Sequence, residues 1–313
     1  MKVALMIEGQ EDVTWADWQA LAGACEEHGV ETLFRSDHYL SVMGQRQRGS
    51  LDAWATLSAL AAVTSKLRLG TLVSPATFRH PSELAKVATT VDHVSGGGRV
   101  ELGLGTGWND AEHAAYGFPF PSMGERMDRF AEQLELIPRQ WAEGPVSFEG
   151  EHYRTEELDA RPKPLRRPHL IVGGRGGPRS IRLAARFADE YNTVSKTAEE
   201  CAVIRAQLDE ACEREGREPI PLSLMTTWLS GTDRAELLDR AGQLAEWQGE
   251  DTDAETFLAE QRNSSLAGTL DENVERLRVL AAAGVERIMA QHLVHRDLGT
   301  VEQLGRVVAP AVA

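Results

Sequence analysis

The chain has 313 residues, 42% of them apolar and 26% charged, with a net charge of −15. That balance fits a globular chain long enough to bury a large core, as two domains or one α/β barrel. The negative charge and the lack of any basic run argue against a surface that tracks nucleic acid or an anionic membrane.

Three cysteines, Cys25, Cys201 and Cys212, stand without a CxxC pair. An odd count with no ligand spacing predicts neither a disulfide framework nor a metal site, and suits a reducing compartment. The N-terminal MKVALMIEGQ turns polar at Glu8, too early for a signal segment, and no apolar run reaches membrane-spanning length. The expectation is a cytoplasmic protein with no membrane partner.

Short apolar runs alternate with helical patterns along the chain. VALMI (residues 3–7) reads as a strand, and residues 15–28 as a helix closed by Gly29. ETLFRSD is strand two, followed by a helix over 51–63. LRLGTLVS is strand three, followed by a helix over 81–94. RVELGLG is strand four, followed by a helix over 122–141. The rhythm then breaks over 144–168, where VSFEGEHYR suggests a hairpin and RPKPLRRP is proline-rich. It resumes with HLIVGG, a helix over 179–187, EYNTVS, and a helix over 198–215. IPLSLMTTWL and a helix over 233–246 follow, and residues 255–265 read as a further helix or a lid, within a lid region of about 246–268. A helix over 270–283, the strand VERIMAQHLV and a helix over 301–308 finish the chain. Eight strand–helix beats predict a (β/α)8 TIM barrel over residues 1–313, with an insertion after the strand-four helix. A doubly wound open sheet is the runner-up, weakened by the lack of an early GxGxxG ahead of a helix.

Barrel active sites gather at the C-terminal ends of strands. Those ends carry Asp37-His38-Tyr39, VSPATFRHP, GTGWNDAEHAAYG, GGRGGP, NTVS and QHLVHRD. The opposite ends carry plain turns such as HGVE and AGVE. Glycines ahead of a helix leave backbone N–H groups open to a phosphate. Each motif also has a structural reading as cap, tight turn or surface loop; their shared rim is what points to a site.

In SDHY (36–39), GTLVSPATFRHPSELAKVATTVDHVSGGG (70–98), LGLGTGW with Glu112 and YGFPFPSMGER, and LIVGGRGG with FADEYN, the chain resembles the luciferase-like monooxygenase superfamily, in the branch that uses the deazaflavin coenzyme F420. The resemblance implies a TIM barrel, a homodimer, and hydride transfer between deazaflavin C5 and a small organic substrate. It implies that Asp37 hydrogen-bonds the coenzyme ring and that His38 is the catalytic acid or base, a role its ordinary pKa near 6.5 suits. Leu72, Val73 and Ser74 would back the ring, with a cis peptide at Leu72-Val73. Thr106, Gly107 and Trp108 would line it, and Gly173, Gly174, Gly176, Gly177 and Thr193 would hold its phosphate. Sugar-phosphate dehydrogenases of this superfamily carry a glutamate where Trp108 stands, which argues against a sugar phosphate here. An FMN-dependent monooxygenase fed by a separate reductase is the alternative, and Arg175, Arg179 and Arg182 lean toward deazaflavin. A non-catalytic flavin-binding barrel is the alternative of another class. Pocket walls are expected from residues 43–50, 228–232 and 246–266, with core packing the stronger reading for Trp228, Trp247 and Phe257.

Overall fold

The computed structural model describes residues 1–45 and 47–313. Arg46, in the first stretch read as a pocket wall, lies outside the described residues. In chain order the elements are β1 (Lys2–Ile7), α1 (Trp15–His28), β2 (Thr32–Arg35), α2 (Ala53–Val63), β3 (Arg68–Pro75), α3 (Pro81–Val94), β4 (Val100–Gly105), α4 (Asp110–Tyr116) and α5 (Met123–Trp141). After them come β5 (Val146–Glu149), β6 (Arg154–Leu158), β7 (His169–Gly173), α6 (Pro178–Phe187), β8 (Glu190–Val194), α7 (Ala198–Arg214) and β9 (Leu222–Gly231). The last are α8 (Arg234–Gln248), α9 (Ala254–Gln261), β10 (Leu266–Thr269), α10 (Leu270–Ala282), β11 (Val285–Gln291) and α11 (Leu298–Gln303).

The sheet runs β10-β9-β11-β1-β2-β3-β4-β7-β8, and a β8–β9 pairing closes it. The eight parallel barrel strands are the ones expected. β5 and β6 form an antiparallel hairpin inside the 144–168 excursion.

Period-two alternation builds two apolar layers. Val3, Leu5 and Ile7 of β1 face the helices, within the large outer cluster. Ala4 and Met6 face inward, against Phe34, Leu72, Ile171 and Met289. Burying each large side chain contributes about 1.5–3 kcal/mol. Helix starts are set locally: Thr14 and Asp17 make a reciprocal capping box for α1, and Gly29 ends it at a φ of +83°.

Several details were not legible. Asp110–Tyr116 is a helix, capped by the Asn109 side chain. The lid region contains a strand: Leu266–Thr269 pairs in parallel with Trp228–Gly231, beyond the barrel proper. α9 is shorter than the helix read over 255–265, and its Phe257 and Leu258 pack with Leu237, Ala241 and Leu244 of α8. Trp228 and Phe257 are core residues, each 2% exposed. The final helical stretch contains a π turn over Leu304–Val308.

At the N-terminal ends of the strands lies an ionic floor. Arg287 grips Glu101 with two bonds of 2.7 and 3.1 Å and reaches Glu190 at 3.3 Å. Arg68 Nε donates to Glu101 at 2.6 Å, and His169 meets Glu190 at 3.2 Å. Glu101, His169 and Glu190 stand close enough to group around a cation. Two guanidinium groups already neutralise them, which disfavours added positive charge.

Candidate active site

The opposite end of the barrel gathers the segments picked out in the sequence. β2 ends at Arg35, and Ser36 and Asp37 follow, both buried. Asp37 Oδ2 accepts from Ser74 Oγ at 2.6 Å and from Arg79 Nη1 at 2.6 Å. Its other oxygen, Oδ1, is buried with no protein partner. An unmatched carboxylate oxygen in a buried site costs free energy unless a donor meets it, so the mouth is built for a ligand N–H or O–H. Ser74 is fully buried and also accepts from Trp54 Nε1 at 3.0 Å. Its work is therefore to hold Asp37.

Arg79 received no role from the sequence. Besides Asp37 it bonds Asp52 at 2.9 Å and the Tyr39 hydroxyl at 3.1 Å. Burial opposes its charge, but Asp37 and then Tyr39 and Asp52 carry its pKa above the ordinary value. Tyr39 in turn donates to Asp52 at 2.9 Å and stacks between Phe78 and Tyr116. It fixes the loops after β2 and β3, and burial raises its pKa far from neutrality.

His38 Nδ1 lies 2.8 Å from Glu112 Oε2. Glu112 is fully buried on α4, and its Oε1 accepts from the Tyr39 and Leu40 backbone N–H groups. With Nδ1 taken, Nε2 is the nitrogen left for proton exchange. Burial works against the imidazolium, but the Glu112 bond and charge, followed by Glu8 and Asp37, raise the His38 pKa above its ordinary value. Burial likewise opposes the Glu112 carboxylate, while His38 and the two N–H groups lower its pKa. The Glu112–His38 link was missed because it spans 74 residues and its helix was not read.

The Leu72-Val73 peptide is cis. Beside it the β3–β4 register shifts between Thr71 and Ser74. Leu72 is buried in the inner cluster. Val73 presses toward the neighbouring strands: a Cβ on Gly105 or Gly173 would lie 2.7 or 2.9 Å from its methyl groups. Those glycines are required by that close approach. Thr106 and Gly107 follow β4, and the Trp108 and His38 rings form a T-shaped pair with centroids 5.5 Å apart.

Gly174, Gly176 and Gly177 lead into α6, whose N-cap Gly177 has no side-chain cap bond. Tyr191 OH accepts from Gly176 N at 2.9 Å and meets Ser180 Oγ at 3.0 Å, anchoring the loop. Thr193 Oγ1 is buried without a partner. On the first turn of α5, Arg126 is 6% exposed and stacks over Phe120 at 3.7 Å, with Nε and Nη1 unpartnered. It is a second residue the sequence left without a role. Arg179 is tied to Asp128, so of the three arginines near this loop it is already committed.

A family model described as luciferase-like monooxygenase matches residues 2–309. The chain belongs to the luciferase-like monooxygenase family. This luciferase-like chain is 29% identical over 283 residues to the F420-dependent hydroxymycolic acid dehydrogenase of Mycobacterium tuberculosis, covering 90% of this chain and 72% of that one. It is 38% identical over 181 residues to the F420-dependent glucose-6-phosphate dehydrogenase of Nakamurella multipartita, covering 57% of this chain and 52% of that one. The solved structure of an F420-dependent secondary alcohol dehydrogenase in complex with an F420-acetone adduct superposes over the full length of both chains, with a TM-score of 0.81 at 20% identity. That likeness bears out the luciferase-like barrel fold.

Proposed function

We propose that this luciferase-like chain is an F420-dependent oxidoreductase acting on a small organic substrate. The observation that carries the reading is the buried, unpartnered Asp37 Oδ1, an acceptor waiting for a donor at the barrel mouth. The residues present fit a flat, phosphate-bearing coenzyme. Asp37 would accept from its ring system, with Val73, Thr106 and Gly107 beside the ring. Thr193, Arg126 and the uncapped start of α6 would meet its phosphate. When bound, the deazaflavin supplies two-electron hydride chemistry.

The chain's own part is orientation and proton handling. Ser74 and Arg79 keep Asp37 aimed. Glu112 keeps the His38 Nδ1 proton in place, so neutral His38 can accept a proton at Nε2 and the imidazolium can return it. Tyr39 and its aromatic neighbours hold the loops that carry these groups. We further propose a homodimer: α2 has no charged residue, and its Ala55, Ala62 and Val63 are exposed. Light scattering of the purified protein tests that point.

Among the described residues no helix is long and apolar enough to cross a membrane. The functional reading is tested by mixing protein, F420 and candidate alcohols without oxygen and following loss of the coenzyme's visible absorbance. Substrate-dependent oxygen uptake with reduced FMN and a reductase, without any deazaflavin turnover, would favour the monooxygenase alternative.

A further inference from the structure

Trp108 is 61% exposed, more than any other large apolar side chain among the described residues. Gly107, at a φ of +78°, turns the chain just before it, and the indole and the His38 ring meet in a T-shaped pair. The indole therefore borders the imidazole that handles the substrate's proton, and its open surface offers an apolar contact.

Apart from Arg126, which the reading above gives to the coenzyme phosphate, the cations on the neighbouring loops are committed. On the loops after β3, β2 and β8, Arg79 is held by Asp37 and Asp52, Arg48 by Glu11, and Lys196 by Glu200. Glu112 sits behind His38, and Glu8 takes its bonds from Gln10 and Gln291. A phosphate dianion beside Trp108 would have to pull one of these cations from its carboxylate, or compete with the coenzyme phosphate for Arg126, while lying near Glu8 and Glu112. An uncharged substrate meets no such cost.

Resting on the F420 reading above, we infer that Trp108 and this neutralised rim select an uncharged alcohol–carbonyl pair with an apolar flank and reject phosphorylated substrates. In oxidation the carbinol C–H leaves as hydride to the coenzyme, the O–H proton passes to His38 Nε2, and the C–O bond becomes C=O. The alcohol loses two electrons and the coenzyme gains them.

The test uses F420-loaded protein and the series cyclopentanol, cyclohexanol and cycloheptanol, with glucose-6-phosphate as the charged competitor. Saturation-transfer NMR reads binding, and coenzyme absorbance reads turnover. Affinity and kcat/KM are expected to rise about threefold to fourfold per added methylene. Trp108→Ala removes most of that rise and Trp108→Phe keeps most of it, each compared at saturating F420 after its own coenzyme affinity is measured. The inference is overturned if glucose-6-phosphate is preferred, if Trp108→Ala keeps the rise, or if Trp108→Ala loses coenzyme affinity instead. Failure of the wild type to bind F420 overturns the underlying reading, and that is seen before any alcohol is added.

Discussion

The two ends of the barrel are both lined with buried charge, yet they treat it in opposite ways. At the floor, Glu101 is saturated by Arg287 and Arg68, and one orphan remains, Glu190 Oε1. At the mouth, Asp37 Oδ1, Thr193 Oγ1 and two Arg126 nitrogens are all left open. Except for that one oxygen, the floor's groups complete one another and serve the fold. The mouth's groups are half-completed, and under the proposed function a ligand would complete them. Buried polarity alone therefore does not mark a site; several unsatisfied groups gathered at one end of the barrel point to one.

The largest expected effect separates the two ends. Arg287→Met leaves Glu101 and Glu190 short of their cation and should cost about 3–5 kcal/mol of stability in urea unfolding. Coenzyme affinity of the folded fraction should stay unchanged. The same floor gives a pH signature. Burial opposes the Glu101 carboxylate, but Arg287 and Arg68 outweigh it and lower its pKa from 4.5 to about 2. Its contribution is present above pH 4.5 and fades as the pH falls through about 2. Urea midpoints measured down that window should fall, and less steeply in Glu101→Gln.

Asp37→Ala should show the reverse pattern. Coenzyme affinity should drop about tenfold to a hundredfold, since a bond to a charged acceptor is lost. Stability should fall less than in Arg287→Met, because Arg79 keeps Asp52 and Tyr39 as partners. Equal stability losses in both variants would erase the contrast. Glu112→Gln should leave affinity nearly intact and move the pH profile. His38 must be neutral to accept a proton, and its raised pKa places the acid limb of kcat/KM above the ordinary histidine range. Without the Glu112 charge, burial dominates and the limb should move to lower pH. The smallest effect is Thr193→Val. Removing a buried unpartnered hydroxyl should leave stability unchanged or slightly higher, while coenzyme affinity falls about threefold to tenfold.

The strand–helix beat made the barrel legible, because apolar runs and helix caps are local signals. Asp37 and His38 were legible as polar groups closing an apolar strand. Arg79, Glu112 and Arg126 were not, because their roles depend on partners brought together only by barrel closure. Glu112 lies on a seven-residue helix too short to show a period. β10 escaped for a similar reason: LAGT has four residues and no alternation. Ser74 was anticipated as a coenzyme contact, whereas its full burial makes it a support for Asp37.

The central claim is that the mouth is an incomplete site finished by a deazaflavin. Its most direct test is a fluorescence titration of oxidised F420, and separately FMN, into wild-type protein and Asp37→Ala. The account predicts saturable binding of F420 to the wild type, weaker FMN binding, and a marked loss of F420 affinity in the variant. FMN binding without F420 binding, or F420 affinity indifferent to Asp37, would contradict it.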